Sequence, residues 1–307
     1  MVDANGSSVD LGSLDEALPG LAAVAHRVVH GGARFREAVV VDDEAVQQLE
    51  HLTQLAPLHN APALKAIREA LERLPSIPHV AVFDTAFHAT IPPVASTYAL
   101  PLRVREGYGI RRFGFHGLSV QWASESVRVP RLVVCHLGGG CSVSAVLDGR
   151  SVDTTMGFTP LEGVPMATRA GSVDPGALLY LLRHGLSPAE LEHVLEHESG
   201  LLGLSGSADV KELQTRDDER ARLALELLAY RVAGAVAAMT VPLGGLDALV
   251  FTAGIGENSE LVRRLVCDRL GALGEFEVLV VHAREDLVAA RAARALLGLS
   301  PQQLPQG

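Results

Sequence analysis

Residues 131–153 read RLVVCHLGGGCSVSAVLDGRSVD and decide the fold class. The apolar run 131–136 predicts a buried strand, and the Asp148-Gly149 pair is a strong signal for a hairpin turn between two further strands. Three glycines separate the first strand from the second. They either let backbone N–H groups approach an anion or build a tight hairpin that needs positive φ angles, and the sequence leaves both alternatives open.

A second glycine-containing turn, TAGIGENS, follows the predicted buried strand 246–252 and precedes a helix. Gly254 and Gly256 permit the close approach of a ligand, but the third glycine of the dinucleotide fingerprint is missing, so a Rossmann NAD site is not expected. Ligands of open α/β sheets lie beyond the carboxyl ends of the strands. This position favours a nucleotide.

The N-terminal part also alternates strands and helices. Residues 42–55 and 62–73 have helical apolar spacing, 80–83 form a short apolar strand, and 21–29 are either a helix end or a buried strand. The strand 80–83 ends at Asp84, where a carboxylate is costly without a purpose, although a capping or turn aspartate is the plainer alternative. A βαβ-type first lobe follows. Apolar spacing predicts further helices at 176–183, 188–196, 217–240 and 285–296.

Composition excludes several classes of partner. The 307 residues carry a net charge of −10 with no basic stripe, so we expect no nucleic acid, and an anionic substrate needs local cations. No signal peptide is visible, and the apolar run 232–241 stops at Pro242, which predicts a buried helix and no membrane span. An odd set of three cysteines fits reduced thiols in a cytoplasmic protein.

Five basic groups stand beside glycine or proline in apolar surroundings. A single histidine of this kind is usually structural, but the whole set suits phosphoryl transfer, in which cations surround an anion whose charge spreads in the transition state. The five groups are Arg27, His30, His59, His116 and Arg169.

Eight motifs occur in an order that resembles the acetate kinase (acetokinase) family, within the superfamily of sugar kinases, heat-shock chaperones and actin. The resemblance implies an α/β, two-lobed, actin-like ATPase fold of the ribonuclease H-like type. The motifs are HRVVHGG, APLHN, VFDTAFHATIP, RRFGFHGLS, HLGGGCS, SVDTTMGFTPLEGVPMATRAGSVDP, SGLLGLSGSADVKEL and VFTAGIGENS.

The resemblance implies roles for individual residues. Asp84, His116 and Arg169 match catalytic positions. Arg27 and His59 match the substrate side, and Glu285 matches the metal-binding glutamate. The ATP-binding positions matched are His136, Leu137, Gly138, Gly139, Gly140, Asp209, Val210, Lys211, Gly254, Ile255, Gly256, Glu257 and Asn258.

The implied reaction is ATP + acetate ⇌ ADP + acetyl phosphate, with Mg²⁺ or Mn²⁺, in a cytoplasmic homodimer. The implied domains are a substrate-side N-terminal lobe, 1–86 plus 286–307, and a nucleotide-binding C-terminal lobe, 87–285. The family's pattern also leaves propionate and butyrate open as substrates, because one methylene changes binding by only about 1–3 kcal/mol.

The sequence departs from the family's pattern before His26. The family there has a strand, the loop N-A-G-S-S-S-L-K and a second strand, whereas here ANGSS (4–8) echoes the loop without a preceding strand or a following lysine. This predicts a truncated first lobe, with an open sheet edge near 80–83 that a partner subunit covers. Gly139 and Lys211 also replace the family's asparagine and arginine.

Four hypotheses remain open from the sequence. The chain is an active short-chain carboxylate kinase, a degenerate paralogue that binds nucleotide or carboxylate with little turnover, or a protein whose true start lies further upstream. Outside the enzymes, a structural or partner-binding role predicts no stabilisation by ATP.

Overall fold

The computed structural model describes residues 21–53 and 57–299, with the side chains of 57–59 left out. The ANGSS segment and the predictions that rest on it lie outside the described residues. The chain divides into two compact units. Unit 1 runs to Ala89 and adds Phe115–Trp122 and the residues from Arg284 onward, and unit 2 contains Thr90–Gly114 and Ala123–Ala283. The domain boundaries given above stay a prediction.

The described elements follow one another along the chain as listed here. The strands are β1 (Val24–Val28), β2 (Val39–Val40), β3 (His79–Phe83), β4 (Arg131–Leu137), β5 (Cys141–Leu147), β6 (Arg150–Thr154), β7 (Ala248–Thr252) and β8 (Glu277–Val280). The helices are α1 (Asp43–Leu52), α2 (Pro57–Arg73), α3 (Pro93–Ser96), α4 (Leu102–Tyr108), α5 (Gly117–Val127), α6 (Pro175–Arg183), α7 (Pro188–His193), α8 (Gly200–Ser205), α9 (Val210–Thr215), α10 (Glu219–Leu243), α11 (Ala253–Asn258), α12 (Glu260–Cys267) and α13 (Glu285–Leu296).

The sheet of unit 1 has β3 in its centre. The strand order is β1-β3-β2, with β1 parallel and β2 antiparallel to β3. Alternate residues of β3 pack on opposite faces: Ala81 and Phe83 join the core with α1 and α2, and Val80 and Val82 join the core with α13. The alternatives for 21–29 are thereby resolved as the strand β1.

The predicted open edge at 80–83 is only partly covered in the sheet of described residues. One side of β3 pairs with β1 along all five residues, and on the other side β2 pairs with Val80 and Ala81. All five residues of β3 are nevertheless buried, because helices pack on both faces of the strand. The strand on the second side, β2, has only two residues and leaves no periodic signal in the sequence. The described edge strands of unit 1 are therefore β1 and β2.

Unit 2 contains a five-stranded sheet in the order β6-β5-β4-β7-β8. The strands β4, β7 and β8 are parallel, and the predicted hairpin turn at Asp148-Gly149 joins β5 to β6. Helix α10 packs against β4, β5 and β6. Among the described helices it alone is long and apolar enough to cross a membrane, but its buried positions face the sheet, as in a core helix.

Two segments differ from the sequence-based expectation. Residues 253–258 form the helix α11 and not an open loop, because side chains within the segment bond back to its start: Asn258 Nδ2 donates to the Gly254 carbonyl at 2.8 Å. The predicted helix 188–196 ends as α7 at His193, and a π-helical turn, Val194–Glu198, follows it. Such turns occur mostly as single insertions, frequently at functional sites.

Candidate active site

Arg27, Asp84 and Glu285 form an ionic cluster in unit 1. Arg27 leaves β1 beside the end of β3, where it donates to Asp84 through Nε at 2.9 Å and through Nη2 at 2.7 Å. Its third nitrogen, Nη1, donates to Glu285 Oε2 at the start of α13. The structure therefore brings together three residues that the sequence separates by up to 258 positions.

The electrostatics of this cluster are asymmetric. The Asp84 carboxylate is 2% exposed and is compensated by a two-bond pairing with Arg27, the strongest geometry for an arginine–carboxylate pair. Glu285 is less well compensated. Burial raises its pKa, Arg27 opposes that rise, and the charge of Asp84 adds to it. Three of the five N–H bonds of Arg27 are used by these carboxylates, and its side chain stays 41% exposed.

The turn that carries His116 lies against the backbone of Asp84. The N–H of Gly117 donates to the Asp84 carbonyl at 2.8 Å, and a Cβ at Gly117 would stand 2.1 Å from that oxygen. Only glycine fits this close approach. His116 itself has φ +59°, a left-handed conformation that is costly for a residue with a Cβ and is found mostly where the surroundings enforce it.

The loop after β1 is held by residues that sequence reasoning missed. Asn60 accepts a bond from the His30 N–H at 3.1 Å and donates to the His30 carbonyl at 3.0 Å. Thr85, next to Asp84, accepts a bond from the Gly31 N–H at 3.1 Å. His30 is thus a buried structural residue that accepts the Gly32 N–H. The predicted substrate residue His59 lies in α2, and its side chain is outside the described atoms.

The glycine turn of unit 2 connects β4 to β5. None of its three glycines has a positive φ, so the alternative of a hairpin that needs such angles is wrong. A Cβ at Gly139 would meet no atom within 4 Å. The turn is closed by a bond from the Gly138 N–H to the Gly140 carbonyl at 2.9 Å and by the buried thiol of Cys141, which donates to the Gly138 carbonyl. Folding therefore does not require the missing side chain at Gly139.

Arg169 is held on the loop that contacts this turn. The N–H of Ala167 donates to the Gly139 carbonyl at 3.3 Å, and Arg169 Nε donates to Glu196 Oε2 at 2.8 Å. Glu196 lies in the π-helical turn after α7 and is largely buried. Sequence analysis missed Glu196, whose only local signal is its place in a polar helix end. His116 belongs to unit 1 and Arg169 to unit 2, so their pairing stays a prediction.

The remaining predicted nucleotide residues have diverse surroundings. Asp209 caps α9 by accepting the Lys211 N–H at 2.9 Å, Val210 is a core residue, and Lys211 is exposed. In α11 a Cβ at Gly254 would meet no atom within 4 Å, whereas Gly256 is buried.

Two unusual residues precede Gly254. Ala253 has φ +65°. The buried hydroxyl of Thr252 has no hydrogen-bond partner among the described residues, although Thr252 stands at the position that caps α11.

Comparisons with known proteins identify the family of this chain. The model of the acetokinase family matches residues 8–295. Acetate kinase of Carboxydothermus hydrogenoformans is 45% identical over 266 residues, which cover 83% of this chain and 67% of that protein.

Solved structures are similar as well. A propionate kinase from Francisella tularensis has a TM-score of 0.86 and 37% identity, over 88% of this chain and 78% of that one. The acetate kinase of Porphyromonas gingivalis has a TM-score of 0.85 and 35% identity, over 94% of this chain and 80% of that one. The predicted α/β actin-like ATPase fold is confirmed by these neighbours.

Proposed function

The chain belongs to the acetokinase family, and from that premise we propose that it transfers a phosphoryl group reversibly between ATP and acetate. The family uses ATP and a divalent metal ion. The observation that carries the proposal is Arg27, a half-exposed guanidinium fixed in orientation by Asp84 and Glu285. Two of its N–H bonds have no acceptor among the described residues and suit the two oxygens of a carboxylate.

The reaction needs no general base. Acetate is ionised at pH 7, as side-chain carboxyls with pKa values near ~4 are. One carboxylate oxygen forms a bond to the γ-phosphorus, and the bond from that phosphorus to the β–γ bridging oxygen breaks. ADP leaves with the electron pair, and no proton has to move. Catalysis then depends on position and on charge compensation.

The residues of each unit supply these two effects. In unit 1, Arg27 holds the acetate carboxylate, and Asp84 fixes the plane of Arg27. In unit 2, Glu196 orients Arg169, whose planar fork suits two oxygens of the transferred group. The open face of Gly139 and Gly254 lets backbone N–H groups approach the phosphates and the nucleoside. His116 joins the transition-state contacts.

Asp84 and Glu285 fit a divalent cation. Both carboxylates contact the single guanidinium of Arg27, so the cluster holds two negative charges against one positive charge, and a further cation would compensate the excess. Mg²⁺ binds through one or two carboxylates together with phosphates and waters, so it does not need a site made wholly of protein ligands. The described residues contain no group of three or more side chains that could hold a metal ion by themselves. We propose Mg²⁺, or Mn²⁺ in its place, which when bound neutralises charge on the phosphates.

A homodimer is proposed from the surface of unit 2. Every residue of α6 is described and none is buried, although the helix reads PGALLYLLR. Leu179 and Tyr180 are 50% and 58% exposed. An apolar surface of this kind suits a second copy of the chain. Leu179→Glu with Tyr180→Glu should convert the dimer into a monomer in size-exclusion chromatography with light scattering, and an unchanged mass would contradict this interface.

The test of function is the trapping of acyl phosphate by hydroxylamine, with MgATP and acetate, propionate or butyrate. We expect ATP-dependent hydroxamate with acetate as the best substrate and a separation from propionate of about 5- to 150-fold, as one methylene allows. Similarity to a propionate kinase makes propionate the second candidate. Background hydroxamate together with ATP-dependent thermal stabilisation would indicate the degenerate paralogue. The absence of both ATP-dependent hydroxamate and ATP-dependent stabilisation would refute nucleotide binding altogether.

A further inference from the structure

The carboxylate of Glu257 connects the ends of two parallel strands in unit 2. Its Oε1 accepts the N–H of Ala253, directly after β7, at 2.8 Å, and the N–H of Ala283, three residues after β8, at 3.0 Å. Its Oε2 contacts Nδ1 of His282. The Glu257 side chain is 13% exposed. Both oxygens of this predicted nucleotide residue are therefore engaged by the protein itself.

Ala253 is the strained member of this arrangement. Its φ of +65° lies in the left-handed region, which residues with a Cβ rarely adopt. Its neighbour Thr252 holds a buried hydroxyl without a partner among the described residues. Two unfavourable features at adjacent positions persist only where the surroundings over-determine them, and such strain gathers at functional sites.

The N–H of Ala253 donates to Glu257 Oε1, and this hydrogen bond restrains Ala253 where its φ is +65°. The hydroxyl of Thr252 makes no capping bond, so the first N–H of α11 is satisfied by Glu257. The left-handed angle at Ala253 sets the direction in which the chain leaves β7, and Gly254 is the next residue. The Glu257 carboxylate thereby sets the orientation of Gly254, where a Cβ would meet no atom within 4 Å.

The same carboxylate fixes the chain that follows β8. Val281 donates to the Phe251 carbonyl at 3.0 Å, and Ala283 donates to Glu257, so 281–283 are tied to the end of β7.

We propose that Glu257 is a positioning residue, which holds Ala253 left-handed and anchors Ala283, and that its carboxylate does not contact the nucleotide. This role rests on the proposed function, since it concerns how Gly254 is presented to ATP. It assigns to Glu257 a task different from that of its neighbours in the same motif.

The test is a double-mutant cycle between Glu257→Ala and Ala253→Gly, read as the Kd for MgATP by calorimetry and as KM for ATP and kcat in the hydroxamate assay. Glycine adopts the left-handed angle without strain. We expect Glu257→Ala to raise the Kd and KM about tenfold or more in the wild-type background and about threefold or less in the Ala253→Gly background. The effect on kcat should be smaller than that on KM.

Glu257→Gln separates the two roles directly. A glutamine Oε1 still accepts both backbone bonds, so this variant should recover most of the affinity that Glu257→Ala loses. Asp218→Ala is the matched control, because Asp218 accepts the Ala221 N–H at 3.0 Å at the start of α10. It should leave the Kd unchanged. Melting temperatures verify that each variant is folded.

The outcomes distinguish this role from the function on which it rests. Equal effects of Glu257→Ala in the two backgrounds, or a Glu257→Gln variant as weak as Glu257→Ala, would overturn the positioning role while leaving the kinase intact. A wild-type protein that binds no MgATP would overturn the proposed function and the positioning role together.

Discussion

The two units present their candidate functional residues in different ways. Unit 1 presents charges: Arg27, Asp84 and Glu285 are bonded to one another, and the turn with His116 lies against Asp84. Unit 2 presents mainly backbone, in the glycine turn after β4 and the short helix α11. Among its charged candidates, Arg169 is paired with Glu196.

The difference predicts how each part fails. A charge cluster loses function when one member is neutralised, because the remaining charges are left without compensation in a poorly solvated place. A site built from backbone has no ligand-contacting side chain to remove, and it loses function when an unsuitable side chain is added or when a positioning residue such as Glu257 is removed. Substitutions of opposite kinds, subtraction in unit 1 and addition in unit 2, therefore test the comparison.

The largest effect is expected for Asp84→Asn. The amide keeps the shape but loses the charge-assisted pairing that orients Arg27, and turnover should fall by about 10³-fold or more. Asp247→Asn is the matched control, because Asp247 forms a similar pairing with Arg131 through Nε at 2.9 Å in unit 2. The measurement is kcat in the hydroxamate assay. Near-normal turnover of Asp84→Asn would refute the role of the charge cluster.

The next effect is expected for Gly139→Asp. A Cβ at this position meets no atom within 4 Å and the φ angle is not positive, so the melting temperature should stay unchanged. The family's pattern has the isosteric but neutral asparagine here, so the effect comes from charge: the carboxylate should repel the phosphates of ATP and raise the KM for ATP about tenfold. Gly107→Asp, at an equally open glycine in α4, should leave the KM unchanged. Equal KM values in both variants would mean that the turn does not approach the phosphates.

A smaller effect concerns acid stability of unit 1. His26 Nε2 lies 2.9 Å from Nδ1 of His79, and burial, followed by the charge of His79, lowers the pKa of His26 to about 4. The unfolded chain takes up the proton near pH 6.5, so stability is complete above that pH and declines as the pH falls towards 4. In urea denaturation, the free energy of unfolding of wild type should fall between pH 7 and pH 4.5. The fall in His26→Gln should be smaller by about 1–2 kcal/mol.

The comparison with unit 2 supplies the control for this measurement. His193 is 61% exposed. In His193→Gln the free energy of unfolding should therefore change with pH as it does in wild type. His88 remains in both proteins, and its pKa is lowered by burial to about 4, so His26→Gln should reduce the acid sensitivity without abolishing it. Parallel stability curves for wild type and His26→Gln would contradict the contribution of this pair.

Sequence predicted the elements that carry a local pattern. The strands around the glycine turn, the hairpin at Asp148-Gly149 and the helix Glu285–Leu296 follow from apolar spacing and turn chemistry, and the structure confirms them. The family's motifs indicated candidate residues for the site, and their roles stay predictions. They did not indicate the partners of those residues, such as Glu196 for Arg169 or Asn60 for His30.

Two kinds of feature were not predicted: contacts between residues far apart in the sequence, and elements too short to show an apolar period. The contact of Arg27 with Glu285 spans 258 positions, and no local rule predicts it. The strand β2 has two residues, so no periodic pattern predicts its pairing with β3, which covers Val80 and Ala81 of the predicted open edge. Glu257 likewise accepts the N–H of Ala283 after β8, and the local sequence of α11 does not indicate that β8 ends beside it.

The smallest effect is expected at Thr252. Its buried hydroxyl has no partner among the described residues, so the isosteric Thr252→Val should leave the unliganded protein equally stable or about 1 kcal/mol more stable. Thr154→Val, in the same sheet, removes a hydroxyl that lies 2.8 Å from Ser144 Oγ and should cost about 1–2 kcal/mol. The free energy of unfolding in urea decides between them. A loss in Thr252→Val as large as that in Thr154→Val would show that the Thr252 hydroxyl is satisfied in solution, and the strain at the end of β7 would then rest on Ala253 alone.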